Sequence, residues 1–307
     1  MPETRKRICL TNEVARAAEL IRAGELVAFP TETVYGLGAN ALDPAAIEKI
    51  YTAKGRPPTS PLIVHVSSIE MARGLVREWP ERAEKLARSF WPGPLTLVLP
   101  KQAHVPDRLT AGLDTVGIRM PAHPLAQALI REAGVPIAAP SANRFTELSP
   151  TTAQHVRDGL GDRVAMVLDG GRTTVGIEST VLSLADPGAV LLRPGMVTKA
   201  EIEAVIGPVQ ALGPVQEGSH ASPGLHARHY SPKTRLLLIE PGELPSSGRG
   251  ICLRMPADPR EYAAVLYERL HEADQAGWDW IAIEKPPAGD EWAAIRDRLE
   301  RASAATR

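Results

Sequence analysis

The sequence predicts an α/β fold, with a twisted, open, mixed sheet in a large first domain and a small second α/β domain. Short apolar runs alternate with amphipathic helical stretches through the first two thirds of the chain. Several of these runs follow one another without a helix between them, which favours a mixed sheet over a purely parallel one. A segment rich in Pro, Gly and Ser, 208–224, then precedes a second, shorter series of strands and helices. We therefore predict a first domain at 1–207, a linker or lid at 208–232 and a second domain at 233–307.

The first elements are a helix, a buried strand, a polar loop and a second helix. The apolar face of the first helix comprises Val14, Ala17, Ala18 and Ile21. Gly24 ends this helix, and "LVAF" is the buried strand. The loop is "PTETVYGLGANA". Asp43 as N-cap and Pro44 at the first helical position predict the second helix, which ends near "KGRPP".

The rest of the first domain continues the alternation. Strands are predicted at "PLIVHV", "WPGPLTLVLP", 115–120, 136–139 and "VAMVLDGG". Helices are predicted at 68–78, 81–90, 124–132, 151–159 and "TKAEIEAVIG". "STVLSL" and "AVLLRPG" form a predicted strand pair, with a turn at 186–188 between them.

The second domain is predicted to contain strands "TRLLLIE", "GICLR" and "WIAIE", with helices at 259–275 and 289–303. The segment "PGELPSSGRG", between the first two strands, is too short for a helix. Because this domain shows no cluster of catalytic residue types, we expect it to serve as a scaffold or to carry a lid.

Composition excludes several classes of protein. The chain of 307 residues is 44% hydrophobic and has a net charge of −1, so it can build a sizeable core and has no overall basic field for nucleic acid. Its two cysteines lie far apart and suggest neither a metal site nor a disulfide framework. Neither a signal-peptide core nor a long apolar stretch is present. We expect a cytoplasmic protein without a membrane partner.

Several cations are predicted at the ends of helices and strands. Lys54 and Arg56 follow a helix, where they either stabilise its C-terminus or meet a ligand. Arg119 and Arg193 each stand between an apolar run and a proline. A buried strand end that carries arginine needs an anionic partner, so several such ends favour a polyanion such as a nucleoside triphosphate.

Other polar segments are open to two interpretations. In "PTETVYGLGANA", Gly36 and Gly38 would let the backbone approach a ligand, although the segment is neither a Walker A loop nor a dinucleotide fingerprint. His65, within "LIVHV", is either a core histidine or a ligand contact. "PSAN" and "GIEST" are ordinary loops or parts of a site.

"HARHYSP" follows the predicted linker and contains His226, His229 and Tyr230. The histidine spacing alone is a weak metal signal. The segment is either a solvated loop or a lid that brings an aromatic hydroxyl onto a bound ligand.

These motifs together resemble the YrdC/Sua5 family. The resemblance rests on "PTETVYGLGANAL", "AKGRPPTSPLIVHV", "WPGPLTLVL", "VGIRMPAHPLAQALI", "PIAAPSAN", "VGIESTVLSL" and "LLRPGMVT", which occur in this order over residues 10–207. "SPGLHARHYSP" and the tail resemble the linker and C-terminal domain of the longer Sua5 type. The resemblance implies a YrdC-like twisted open sheet with a large positive cavity, followed by a small Rossmann-like domain.

The same resemblance implies a threonylcarbamoyl-AMP synthase, a nucleotidyltransferase. Such an enzyme joins L-threonine, bicarbonate and ATP, with Mg²⁺ on the triphosphate, and releases pyrophosphate. Its product feeds the N6-threonylcarbamoyladenosine (t6A) modification at position 37 of tRNAs, so a transfer machinery and tRNA are further expected partners.

Site residues are implied by position within the matching motifs. L-Threonine would contact Thr33, His65, Arg119, Ala139 and Ser179. ATP would contact Arg56, Ser60, Thr115, Ser141, Ser149, Arg193 and Tyr230. The catalytic positions would be Lys54, Arg56, Ser141 and Asn143. The sequence identifies no protein ligand for a metal. Ala139 and Ser60 depart from the family pattern, in which threonine and asparagine are common.

Two other functions compete with this one. A YrdC-like module that binds double-stranded RNA or tRNA without synthase activity is the alternative, and the near-neutral net charge disfavours it. A carbamoyl-transfer domain, like that of hydrogenase maturation factors, would require a longer chain with cysteine clusters.

Overall fold

The computed structural model describes residues 2–211, 229–245 and 247–304, and side chains from Thr11 onwards. Helices and strands alternate as predicted, and two sheets form. One sheet has ten strands and the other has three. The larger sheet is mixed, which confirms the predicted fold class.

The large sheet belongs to the first part of the chain. Its strands are β1 (Val27–Phe29), β2 (Gly36–Asn40), β3 (Ile63–His65), β4 (Leu95–Pro100), β5 (Thr115–Arg119), β6 (Ile137–Ala138), β7 (Met166–Val167), β8 (Thr180–Ser183), β9 (Ala189–Arg193) and β10 (Val209–Ala211). Their spatial order is β10-β9-β8-β4-β5-β3-β6-β2-β1-β7. β3 and β5 are parallel with His65 opposite Arg119, so the two side chains leave the sheet at the same end.

Eight helices accompany this sheet in the described part of the chain. They are α1 (Pro2–Arg22), α2 (Pro44–Lys54), α3 (Ile69–Arg73), α4 (Glu81–Phe90), α5 (Asp107–Thr110), α6 (Pro124–Ala133), α7 (Ala153–Leu160) and α8 (Lys199–Ile206). The predicted N-cap of α2 is confirmed, because the Asp43 side chain accepts a hydrogen bond from Ala45 N. Gly55 ends α2 in the left-handed conformation and turns the chain towards Arg56.

The small sheet is built from β11 (Arg235–Ile239), β12 (Gly250–Cys252) and β13 (Trp280–Glu284), in the order β11-β13-β12. All its pairs are parallel. Helices α9 (Pro259–Gln275) and α10 (Ala293–Ser303) accompany it. The described residues between β11 and β12 form no helix, as the short connection predicted.

Two predictions about local structure were wrong. Part of "PTETVYGLGANA" is strand β2 rather than loop, and a Cβ at Gly38 would lie 2.8 Å from the Phe29 ring. The lack of a side chain at Gly38 therefore allows close packing against β1, and it does not serve to bring the backbone near a ligand.

Residues 209–211, assigned to the linker, form β10 and pair with β9. Most of the remaining linker, with His226, lies outside the described residues. The predicted domain limits stay a prediction.

The two parts of the chain share an apolar cluster. Val34, Leu148 and Ile177 from the first part pack with Leu266 and Ile295 of the second. The approach is close at Gly176, where a Cβ would lie 2.2 Å from Ala263 O of α9. The loop that leads into β8 is therefore held against α9. Among the described helices, none combines the length and apolar character needed to cross a membrane.

Candidate active site

A cavity at one end of the large sheet collects most of the predicted site residues. Its wall comprises Thr31, Thr33, Val34, Gly36, Arg56, Ile63, His65, Arg119, Ala139, Pro140, Ser141, Glu178, Ser179, Arg193, His229 and Tyr230. Arg119 and Arg193 end strands and Arg56 follows α2, so the predicted convergence of cations from separate elements is observed. The cavity encloses about 50 Å³, well below the ~300–1,000 Å³ of typical ligand pockets.

Arg119 is buried at the end of β5 and fixed on several sides. Its Nε donates to Gly93 O (3.2 Å), and its Nη1 donates to Thr33 Oγ1 (2.9 Å). Its Nη2 lies 2.7 Å from Glu32 Oε1, but this N–H does not point at the oxygen, since neither atom completes a hydrogen bond within the described residues. Part of the guanidinium's hydrogen-bonding capacity is thus unused.

His65 stands beside Arg119 across the β3–β5 pair. Burial, together with the positive charge of Arg119, lowers the pKa of His65 to about 3. The Phe29 ring meets the imidazole edge-on at 6.0 Å between centroids. His65 is therefore neutral near pH 7 and can contact an amino acid without adding charge.

Arg56 reaches the cavity from the loop after α2. Its Nη2 donates to Pro61 O (3.0 Å), and its Nε lies 3.4 Å from Ser60 O. Burial lowers the pKa of Arg56 to about 10, which leaves the side chain charged at pH 7. Ser60 thus contributes its carbonyl to the placement of Arg56.

Lys54, by contrast, is buried behind the cavity wall. Its Nζ donates to Ser141 O (2.6 Å) and Asn143 O (2.5 Å), with Asn143 Oδ1 3.5 Å away. Burial, and then Arg56, hold the pKa of Lys54 well below its usual value. These contacts tie the "PSAN" loop to the end of α2 and present Ser141 to the cavity.

Glu178 and Arg193 lie where β8 begins and β9 ends. Arg193 Nε donates to Ser179 O (3.1 Å), and its Nη2 donates to Ser179 Oγ (3.2 Å). Thr96 Oγ1 is a further 2.8 Å neighbour of Ser179 Oγ. Glu178 Oε1 accepts from Ser149 Oγ at 2.6 Å, and Oε2 accepts from Arg298 Nε at 2.7 Å. Arg298 belongs to α10, so the second part of the chain reaches this wall.

Tyr230 closes the cavity from the segment that precedes β11. Its side chain is buried, and its backbone has a φ of 60°, which a bulky residue adopts only under strain. The Tyr230 hydroxyl has no hydrogen-bond partner among the described residues. The ring contacts His229, which also lines the cavity. A buried, unpartnered hydroxyl at this point suits contact with a ligand.

Five predicted site residues do not line the cavity. They are Lys54, Ser60, Thr115, Asn143 and Ser149. Lys54, Ser60 and Ser149 each contact a residue that does, whereas Asn143 contacts Lys54. Thr115 starts β5 opposite Pro100, at the other end of the strand from Arg119, a separation of ~13 Å at the usual rise per residue.

Sequence patterns did not predict Glu32, Tyr267 and Arg298 as site residues. Arg298 had a readable signal, because it shares the apolar stripe of α10 with Ile295, Leu299 and Ala302. A cation in such a stripe needs a buried anion. Glu32 lies within "PTETVYGLGANAL", and no other pattern in the sequence distinguishes it as a site residue. Tyr267 looks like an ordinary core residue of α9.

Comparison with known proteins gives two adjoining family matches. The profile of a family described as "Telomere recombination", which covers Sua5, YciO and YrdC, matches residues 19–195. The profile described as "Threonylcarbamoyl-AMP synthase, C-terminal domain" matches residues 197–304.

Individual relatives extend over 60 to 95% of the chain. The threonylcarbamoyl-AMP synthase of Bacillus subtilis (strain 168) is 45% identical and covers 95% of this chain and 93% of its own. The crystal structure of P. abyssi Sua5 complexed with L-threonine aligns with a TM-score of 0.89 at 41% identity, covering 94% of both chains. The E. coli YciO structure aligns with a TM-score of 0.53 at 25% identity, covering 60% of this chain and 90% of that one.

Proposed function

The chain belongs to the Sua5/YciO/YrdC family, and on this premise we propose that it is a threonylcarbamoyl-AMP synthase. It would use L-threonine, bicarbonate and ATP and release pyrophosphate. The observation that carries the proposal is the single cavity shared by Arg56, Arg119 and Arg193. Three cations around one small space suit a triphosphate beside an amino-acid carboxylate.

We assign the threonine subsite to Arg119 and its neighbours. The unused donor capacity of Arg119 suits the carboxylate, and Thr33, neutral His65 and Ser179 supply uncharged polar contacts. Val34, Ile63 and Ala139 offer apolar surface for the threonine methyl group. Because Ala139 carries no hydroxyl, only its backbone can form a hydrogen bond here.

We assign the nucleotide subsite to Arg56, Ser141, Arg193 and Tyr230. Lys54 and Ser60 would support it by holding Ser141 and Arg56. Asn143 would act through Lys54, and Ser149 through Glu178. Because the cavity encloses only about 50 Å³, ATP entry requires the wall to move. The strained, buried Tyr230 is the candidate for that movement, and it would return over the bound nucleotide. The placement of Thr115 does not support a nucleotide contact.

The reaction needs positioning and charge neutralisation more than covalent help. The threonine amine and bicarbonate form a carbamate and release water. A carbamate oxygen then bonds to the α-phosphorus of ATP while the bond to the pyrophosphate oxygen breaks. Arg56 and Arg193 would stabilise the negative charge on the phosphates. No residue of the cavity wall stands out as a general base.

Mg²⁺ would enter with ATP as part of the substrate. The described residues contain no group of three or more His, Cys, Asp or Glu that could hold a metal ion. Among the described residues of the cavity wall, the one carboxylate, Glu178, is occupied by protein donors. We propose that phosphate oxygens and water supply ligands of this Mg²⁺, which keeps several waters when it binds to substrate phosphates.

The product would be consumed by a machinery that transfers the threonylcarbamoyl group to tRNA in the cytoplasm. The direct test is incubation with ATP, Mg²⁺, bicarbonate and L-threonine, followed by rapid mass analysis for the mixed adenylate. We expect pyrophosphate release that requires all three substrates, and a weaker response to serine. Absence of the adenylate, together with salt-dependent tRNA binding, would instead support a binding module.

A further inference from the structure

Among the described residues of the cavity wall, one carboxylate lies beside three cations. Glu178 faces this cavity together with Arg56, Arg119 and Arg193. If no cation neutralised this carboxylate, it would repel phosphate groups. It would also attract the arginines that would otherwise bind those phosphates. A cation outside the cavity must therefore neutralise Glu178.

Arg298 of α10 occupies that outside position. Its Nε donates to Glu178 Oε2 at 2.7 Å, and its Nη2 lies 3.4 Å from Glu178 O. The Tyr267 hydroxyl lies 3.1 Å from Oε2 and 3.3 Å from Oε1, and Ser149 Oγ donates to Oε1. Donors from the far side thus surround both carboxylate oxygens.

The position of Arg298 is itself fixed from two directions. The side chain is fully buried and contacts Asp297 through its Nη1 at 2.6 Å. Its guanidinium carbon lies 5.2 Å from the centre of the Tyr230 ring. Arg298 therefore contacts both the cavity carboxylate and the tyrosine that closes the cavity.

We propose that Arg298 is a positioning residue for ATP binding, acting by neutralising Glu178 and supporting Tyr230 from the second part of the chain. This inference rests on the proposed function. Without Arg298, Glu178 would be a buried carboxylate with no cation behind it. Glu178 would then turn towards Arg193 and oppose the triphosphate.

The test compares Arg298→Met, Glu178→Gln and the double variant by calorimetric binding of a non-hydrolysable ATP analogue with Mg²⁺. We expect Arg298→Met to raise the Kd for the analogue by roughly tenfold or more, because one partner of a buried pair is lost. In the double variant the carboxylate charge of Glu178 is also absent, so most of the affinity for the ATP analogue should return. The threonine Kd should change much less in all three variants.

Arg296→Met is the matched control. Arg296 lies on the same helix, but its Nη1 contacts Pro287 O and Gly289 O within the second part of the chain. Its loss removes a helix arginine without touching Glu178, so the analogue Kd should stay within about twofold, as expected for a site away from the pair.

Each outcome decides the proposal. Wild-type affinity in Arg298→Met, or a double variant no better than Arg298→Met, would overturn it, because a space-filling role cannot be rescued at Glu178. If Arg298→Met does not fold, the double variant should fold; failure of both would also overturn it. A wild-type protein that binds the analogue but makes no adenylate would overturn only the proposed function. A wild-type protein that binds no nucleotide would overturn both.

Discussion

Two buried ion pairs flank the cavity, and they differ in whether the cation or the carboxylate lines it. In Glu32–Arg119 the cation lines the cavity and the carboxylate lies behind it. In Glu178–Arg298 the carboxylate lines the cavity and the cation lies behind it. The first pair joins residues of the first part of the chain, whereas the second pair joins its two parts.

The pairs also differ in how completely they are satisfied. Arg119 Nη2 and Glu32 Oε1 lack a well-directed hydrogen bond within the described residues, whereas both oxygens of Glu178 receive protein donors. Burial alone would raise the pKa of Glu178, but Arg298 and Arg193 together with hydrogen bonds hold it below its usual value. In the first pair, Arg119 thus keeps a donor that can bind the anionic group of a ligand. In the second pair, Arg298 neutralises Glu178, so that this carboxylate does not repel such a group.

Replacing Arg119 tests the ligand-binding pair and should give the largest effect. Arg119→Ala removes the carboxylate contact and leaves Glu32 buried without its cation. We expect kcat/KM for threonine to fall by ~100- to 1,000-fold, the kinetic equivalent of losing one partner of a buried charge pair. Steady-state pyrophosphate release measures it, and Arg119→Lys, which keeps charge but not the planar fork, should recover only part. A threonine KM near that of wild type in Arg119→Ala would contradict the assignment.

Replacing Arg56 and Lys54 in turn distinguishes a cation that lines the cavity from a cation that supports the cavity wall. Arg56→Ala should lower the rate of pyrophosphate release by ~100-fold, as for loss of one charge-stabilising donor. Lys54→Met should lower the thermal midpoint more than Arg56→Ala does, because three oxygens of the "PSAN" loop lose their partner. Equal thermal midpoints with equal losses of rate would place both side chains at the phosphates.

Tyr230 tests the side of the cavity that the second pair supports. Tyr230→Ala should raise the Kd for ATP by roughly tenfold, since a ring and a hydroxyl over the nucleotide are lost. Threonine affinity should change less. Calorimetry on Tyr230→Phe then separates the hydroxyl from the ring. An unchanged ATP affinity in Tyr230→Ala would contradict the role of this residue as a lid.

The smallest effect concerns a titrating contact between the two parts of the chain. His155 of α7 stacks on His271 of α9 with 3.9 Å between ring centroids. Burial, and then His271, lowers the pKa of His155 to about 4. Between pH 4 and the unfolded value of about 6.5 the unfolded chain binds more protons, so stability present above pH 6.5 is lost as the pH falls towards 4.

For the half-buried His155 we expect a loss of about 1 kcal/mol in the free energy of unfolding over this window, allowing for screening by water. Urea denaturation at several pH values measures it. His155→Asn keeps an acceptor near Thr151 N and should flatten the profile. An unchanged profile in this variant would rule out His155 as a source of the pH dependence.

Local patterns predicted much of the fold and a large part of the site. Asp43, Pro44 and Gly55 mark the ends of α2 by interactions within a few residues, and the structure has them as predicted. Arg119 and Arg193 follow apolar strands, and both reach the cavity. Thr115 does not line the cavity, because a motif match does not say at which end of a strand a residue lies, and its nucleotide contact stays a prediction.

The sequence by itself determined where most of the helices and strands lie and which polar groups follow apolar strands. These features depend on neighbouring residues and on hydrophobic periodicity. Only the tertiary structure decided that Lys54 faces backbone carbonyls, that Glu178 meets a cation 120 residues away and that Tyr230 is enclosed between the two parts of the chain. The physical reason is that a buried charge chooses its partner by distance in space after packing, and sequence spacing does not encode that distance.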